Sequence, residues 1–319
     1  MNEWFATYQG HAAGLATSVL WTFGSMFFTA AAKRLGTTVM NSYRIAFAVL
    51  LLALMHRFLT GHWFPQALPR QYLYLALSGV IGLSLGDMAL FKAFVDIGPR
   101  RSMLVMTTAP IFAVLFGWLA LGETLQPAAW FGIALVLGGV AWVILERPKR
   151  VTDVPSGLLA RGVGLALIGA ACQAAGLLFS KQGIGHGWAE KSQFIAPQTA
   201  TLIRMVFAAL GVIPILLIYY QRRLARPRLN DVTPRTSGTR RAGYLFASAG
   251  ACVGPFLGVW MSLEASDKVP LGIAQTLCSL PPILILPFAA GIYKERITLR
   301  AVLGAIVAVG GTAWLFLVR

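Results

Sequence analysis

The sequence predicts an all-α integral membrane protein with ten transmembrane helices in two inverted five-helix repeats, and three observations carry that prediction. First, 57% of the 319 residues are hydrophobic and only 12% are charged, against roughly 25% charged in ordinary globular domains. A soluble fold of this size has no way to bury so much apolar surface. Second, the chain contains ten apolar runs, each long enough to cross a hydrocarbon core about 30 Å thick at about 1.5 Å per helical residue. Third, the second half of the chain repeats the first while the bias of the loop charges inverts.

The runs cover residues 12–32, 37–58, 71–94, 101–121, 127–145, 160–182, 195–220, 243–264, 270–290 and 298–317. The segment before the first, Met1 to Gly10, carries Glu3 and no basic stretch, so it does not read as a cleavable signal, and the first run is expected to stay as a span. The second run carries Arg44, and the third a row of small residues, Ser78, Gly82 and Gly86, followed by Asp87. The fourth is interrupted at Pro110 and closes on Glu123, and the fifth is rich in glycine. Pro148 and Pro155 lie in the connection from Glu146 to Gly157, taken as the midpoint, so the expected units are residues 1–150 and 151–319. The sixth run holds Gln173, the seventh Arg204, and the eighth the row Gly250, Gly254 and Gly258. Before the eighth comes the longest connection, Gln221 to Arg241, with Pro227, Pro234 and Gly238 as breakers. The ninth carries Gln275, Thr276, Pro281 and Pro282, and the tenth repeats the glycines of the fifth.

That repetition is direct. A shift of 172 places Pro110 on Pro282, Glu123 on Glu295, Gly132 on Gly304, Gly138 and Gly139 on Gly310 and Gly311, and Trp142 on Trp314, with 11 identities in the 36 positions from 110 to 145. The same shift carries Gly82 and Gly86 onto Gly254 and Gly258, and a shift of 160 carries Arg44 onto Arg204. Fixed-period self-similarity is the signature of duplication. A unit with an odd number of spans puts its second copy upside down, and the charges agree. Lys33 and Arg34, Arg100 and Arg101, Arg147 with Lys149 and Arg150, seven arginines from Arg222 to Arg241, and Lys294 with Arg296 and Arg300 follow the odd-numbered runs. The alternate loops hold only Arg57 and Arg70, Lys181 and Lys191, and Lys268. By the positive-inside rule the rich loops are cytoplasmic and both termini lie outside.

The 27 Lys plus Arg against 11 Asp plus Glu give a formal charge of +16. In a soluble chain that excess points to nucleic acid. Here it sits in the connections, so it reads as a topology determinant that meets anionic lipid, with no nucleic-acid partner. Cys172, Cys252 and Cys278 lie inside apolar runs without paired spacing, which indicates neither a disulfide framework nor a zinc site. Trp4, Trp63, Trp118, Trp130 and Trp188 read as an interfacial belt. No cofactor and no metal are expected, and neither a Walker loop nor a zincin or nucleophile-elbow motif occurs in a suitable context.

With ten spans, duplicated five-helix units, an arginine early in the second helix of each unit (Arg44, Arg204) and a proline thirteen residues before a glutamate in each fourth helix (Pro110 to Glu123, Pro282 to Glu295), the chain resembles the EamA family of the drug/metabolite transporter superfamily. The resemblance covers nearly the whole chain. It implies a secondary transporter with a central cavity, the fifth and tenth helices being peripheral. Two departures stand out: Trp21-Thr-Phe-Gly24 where the family usually puts glycine directly after tryptophan, and Lys294 in place of the glycine before the second glutamate.

Charged groups inside spans are expensive and are functional candidates by default. Asp87 has two readings, a cation or proton site and a structural partner of Arg44 or Lys92. Arg44 and Arg204 also have two: forks for a substrate carboxylate or phosphate, or holders of carbonyls freed at helix breaks. Pro110 and Pro282 mark the expected binding site between the halves. Asn41, Tyr43, Gln173, Gln275 and Thr276 are polar candidates for its lining, or else interhelical hydrogen bonders. Lys92 and Glu264 align at opposite membrane faces, as gates of their vestibules or as snorkelling side chains. The glycine rows read as close-packing faces. The expected function is secondary transport, most simply export, of a small organic metabolite such as an amino acid or drug-like solute across the inner membrane, by a monomer or homodimer. The alternatives are an intramembrane lipid-modifying enzyme, which needs catalytic residues clustered at one depth, and a scaffold, which needs no midplane cavity.

Overall fold

In a computed structural model, which describes residues 2–145, 155–225, 237–285, 287–288 and 298–318, every regular element among those residues is helical. The first half comprises α1 (Asn2–Leu35), α2 (Thr37–Thr60), α3 (Pro69–Ser78), α4 (Asp87–Met106), α5 (Ala109–Leu121) and α6 (Pro127–Leu145). The second comprises α7 (Ser156–Ile184), α8 (Pro197–Ala225), α9 (Ser237–Ala251), α10 (Val259–Lys268), α11 (Leu271–Leu277), α12 (Pro281–Leu284) and α13 (Leu299–Leu317). A π-helical segment, Gly79–Gly86, joins α3 to α4, and another, Cys252–Gly258, joins α9 to α10. Nine helical stretches among the described residues are long and apolar enough to cross a bilayer, and the ninth expected run is represented by the shorter apolar segment Leu271–Leu284. The protein is thus a ten-helix membrane bundle. Glu146 to Val154, most of the arginine-rich connection (226–236) and the Lys294-Glu295-Arg296 motif lie outside the described residues.

The expected connection at residues 95–100 is helical, since α4 runs on to Met106. Chain breaks come later, at Thr107–Thr108 before Pro110 and at Cys278–Leu280 before Pro281 and Pro282. All three prolines therefore lie in the first turn of a new helix segment instead of kinking an old one.

Lipid is as apolar as leucine, so spans associate through close backbone approach and interhelical hydrogen bonds. Large side chains such as Leu50, Leu54 and Phe58, or Val302, Ile306 and Val309, stay exposed on outward stripes at helical spacing. The glycine rows face inward. A Cβ on Gly176 would lie 2.7 Å from the Gly82 Cα, and one on Gly24 would lie 3.4 Å from the Gly254 Cα. One on Gly10 would meet the Lys268 Cβ at 2.6 Å, and one on Gly162 would meet Ile97 and Asp96. Gly10 and Gly162 are 152 positions apart, as are Gly24 and Gly176, whereas Gly82 and Gly254, and Asp96 and Lys268, are 172 apart. The contact of α7 with the π segment and α4 is therefore the same interface as that of α1 with the second π segment and α10. The last spans of the two halves, α6 and α13, pack on each other with the same reciprocity. A Cβ on Gly139 would strike the Gly304 carbonyl oxygen at 2.6 Å, and one on Gly311 would lie 2.9 Å from the Gly132 carbonyl oxygen. Residue 132 meets 311 while 139 meets 304, so the helices run antiparallel, as inverted repeats require.

Candidate functional site: a central cavity at the two helix breaks

The two π segments occupy matching places, because the shift of 172 carries residues 80–86 onto Cys252–Gly258. Pro255 sits inside the second, where a missing N–H suits a widened turn. Leu83 holds the matching position in the first, so the widening does not depend on proline. The first bulge lies where α8 comes closest, since a Cβ on Gly79 would collide with the Arg204 carbonyl oxygen. Sequence periodicity carried no sign of either bulge.

Both bulges and both helix breaks open onto one cavity of about 280 Å³. Its wall takes Trp21, Gly24 and Phe28 from α1, Arg44 from α2, and Gly82 and Asp87 from the first bulge and its exit. Met103, Met106 and Thr107 come from the first break, Gln173 from α7 and Arg204 from α8. Pro255 and Val259 belong to the second bulge and its exit, and Gln275, Cys278, Pro281 and Pro282 to the second break. Every span except α6 and α13 contributes to this wall, so those two are peripheral. Trp21 and Gly24 of the first helix both face the cavity.

Arg44 donates to Asp87 and, from Nε, to the Asn41 Oδ1 at 2.7 Å, with its guanidinium 5.0 Å from the centre of the Phe28 ring. Asp87 thus pairs with Arg44 and not with Lys92, which is exposed five residues further along α4. Arg204 behaves differently. It is 5% exposed, its Nε has no hydrogen-bond partner, and it makes no ion pair among the described residues.

Of the residues singled out from the sequence, Arg44, Asp87, Gln173, Arg204, Gln275 and Pro282 line the cavity. Asn41 stands behind Arg44 as its acceptor, and Tyr43 turns its hydroxyl to Ser248 at 2.9 Å. Thr276 bonds back to the Gly272 carbonyl at 2.7 Å, and Pro110 is buried just past the break whose edge it sets. Lys92 and Glu264 lie outside the wall, Glu264 accepting from Gln9 Nε2 at 3.0 Å.

Charged pairs outside the sequence reading include Lys181 with Glu123 and Asp96 with Arg161. Lys181, counted there as a loop charge, is buried inside α7, 2.6 Å from Glu123 Oε1, and donates to the Val269 carbonyl at 2.8 Å. Glu123 Oε2 accepts from the Leu271 N–H at 2.7 Å, satisfying an orphan donor at the start of α11. Asp96 takes both Nε and an Nη of Arg161 at 2.8 Å. Glu123 was visible as a motif, but its partner was hidden because Lys181 falls one residue from the end of its run.

A cavity at the midpoint of two antiparallel sets of broken helices is the architecture of a membrane transporter. The profile of the EamA-like transporter family matches residues 9–145 and again 160–317, so the chain belongs to that family, one of transporters and not of enzymes. It is accordingly a multi-pass membrane protein of that family. A 42-residue stretch is 43% identical to the permease-like protein YdzE of Bacillus subtilis (strain 168), covering 13% of this chain and 54% of that protein. The chain spans about half the length of this curated relative. One solved crystal structure, 16% identical in sequence, superposes over 96% of each chain with a TM-score of 0.72, which shows a shared fold.

Proposed function

We propose that the protein is a secondary transporter that exports a small organic metabolite, such as an amino acid or drug-like solute, across the inner membrane by alternating access. The observation that supports this most is the convergence of both helix breaks and both π segments on one cavity. Such irregular backbone is tolerated at membrane depth only where protein or a water-filled cavity satisfies it. The moving units in this reading are residues 1–150 and 151–319, with Arg44, Asp87, Arg204, Gln173 and Gln275 contacting solute at the cavity between them. Lys92 and Glu264 mark the rims of the two opposite vestibules. The basic connections face the cytoplasm and anionic lipid.

Three experiments test the reading. Metabolite profiling of cells lacking or overproducing the protein should show one organic solute rising inside the first and falling inside the second. Arg44→Gln should weaken binding of that solute in reconstituted vesicles while leaving membrane insertion intact. Failure of wild-type vesicles to move any such solute would sink the proposal. Orientation is checked by Arg235→Cys in a background without the three native cysteines: it should resist an impermeant thiol reagent in intact cells, and ready labelling would reverse the topology.

A further inference from the structure

Charge around the cavity is unequal between two halves that are otherwise matched. Arg44 and Arg204 are repeat equivalents at a shift of 160, and both reach the cavity wall. Arg44 has Asp87 as its counter-ion. The shift of 172 places Val259 where Asp87 stands in the first half, and Val259 also lines the wall. The second arginine therefore lacks the carboxylate that neutralises the first. It is 95% buried by its 5% exposure, its Nε is unpaired, and no carboxylate among the described residues lies within ion-pair distance. Among the described residues the charged side chains on the wall are Arg44, Asp87 and Arg204, which leave it one positive charge in excess.

A guanidinium taken out of water without a partner is strongly disfavoured, and truncating or pairing it relieves the strain. Among the described residues the one carboxylate on the wall, Asp87, is engaged by Arg44, and Arg204 itself lines the cavity. We propose, resting on the cavity being the transport site, that the solute is an organic anion whose carboxylate seats on Arg204. Its body lies among the apolar side chains of the wall, with Phe28, Met103, Met106 and Pro282 at hand. The guanidinium fork suits a planar carboxylate in particular, because two parallel N–H groups meet two oxygens. Arg44 is already engaged by Asp87, Asn41 and Phe28, so its contact with the solute is secondary to that of Arg204.

The test is equilibrium dialysis of the detergent-solubilised full chain against three probes of one shape: 3-phenylpropanoate, its primary amide and 3-phenylpropylamine. The wild type should bind the carboxylate about tenfold or more tightly than the amide, as a charge-assisted bidentate contact implies, and should reject the amine. Arg204→Gln should bring carboxylate and amide to equal affinity, and Arg204→Lys should keep part of the preference. Because the readout is the ratio between two probes on the same protein, a merely weakened fold does not mimic it. An amide or amine bound as well as the carboxylate, no carboxylate bound at all, or an unchanged preference in Arg204→Gln, would each overturn the assignment. No flux enters this measurement, so absence of transport in vesicles would count against the proposed function and leave the anion site standing, and the reverse holds equally.

Discussion

Asp87 and Arg44 could be located in depth from the sequence, because residue number sets height along a helix. Which way a side chain faces was less accessible, since successive helical residues diverge by about 100°. That is why Arg44 reached the cavity while Tyr43, next to it, went to Ser248, and why Asn41, one turn back on the same face, became a partner of Arg44 instead of a wall residue. The Arg44 to Asp87 pair makes two outcomes separable. Breaking a buried ion pair by removing one partner costs about 3–5 kcal/mol. With 15% and 24% of the two side chains still exposed, Asp87→Asn is expected to lower stability in thermal unfolding by ~2 kcal/mol, the penalty being partly screened by cavity water. Arg44→Gln added to it should restore part of that loss, a coupling that a double-mutant cycle reads directly. If Asp87 also carries the proton, Asp87→Asn abolishes uptake driven by an imposed pH gradient yet leaves solute exchange measurable. Equal loss of both activities would assign Asp87 to structure or general binding, and unchanged pH-driven uptake would remove it from coupling.

Helices and their breaks were legible to different degrees. Pro110, Pro281 and Pro282 announced the interruptions because a ring without an N–H has a fixed physical consequence. The π segments had no such herald, since a widened turn draws on the same small and apolar residues as an α-turn. Glycines were legible as a set but not one by one. Gly138 and Gly139 repeat as Gly310 and Gly311, and the alignment treats the two pairs alike. In the bundle, Gly138 and Gly310 have nothing within 4 Å of an added Cβ, while Gly139 and Gly311 sit on the backbone of the opposing helix. Gly139→Ala and Gly311→Ala should each destabilise by about 1–3 kcal/mol, as overpacking does. Gly138→Ala and Gly310→Ala should be neutral or gain up to about 1 kcal/mol from helix propensity. Thermal unfolding of the four variants measures this, and equal effects within each pair would mean that α6 and α13 do not pack through these faces. At the far end of the cavity's helices, Glu123→Gln should lose the Lys181 ion pair and release the α11 N-terminus, raising backbone amide exchange at Leu271 and Gly272; unchanged exchange there would deny Glu123 that holding role.

For the molecule, the duplication was readable because Pro, Gly and Glu keep identity where geometry demands it, and the inversion because loop charge records orientation. The pairing of α1 with α10 and of α7 with α4 was not, since Gly24 and Gly176 have no flanking identities comparable to those around Pro110 and Pro282. The exchange of Asp87 for Val259 between the halves stands in the alignment, but that it falls on the cavity wall became visible only in the bundle. The central claim is that the cavity between the halves opens to both sides of the membrane in turn. Thr107 lies at the first break and on the wall, so Thr107→Cys, with Cys172, Cys252 and Cys278 replaced by alanine, reports that access directly. An impermeant maleimide applied separately to right-side-out and inside-out vesicles should label it from both faces. Labelling from one face only, or from neither, would contradict alternating access and leave the cavity a static pocket.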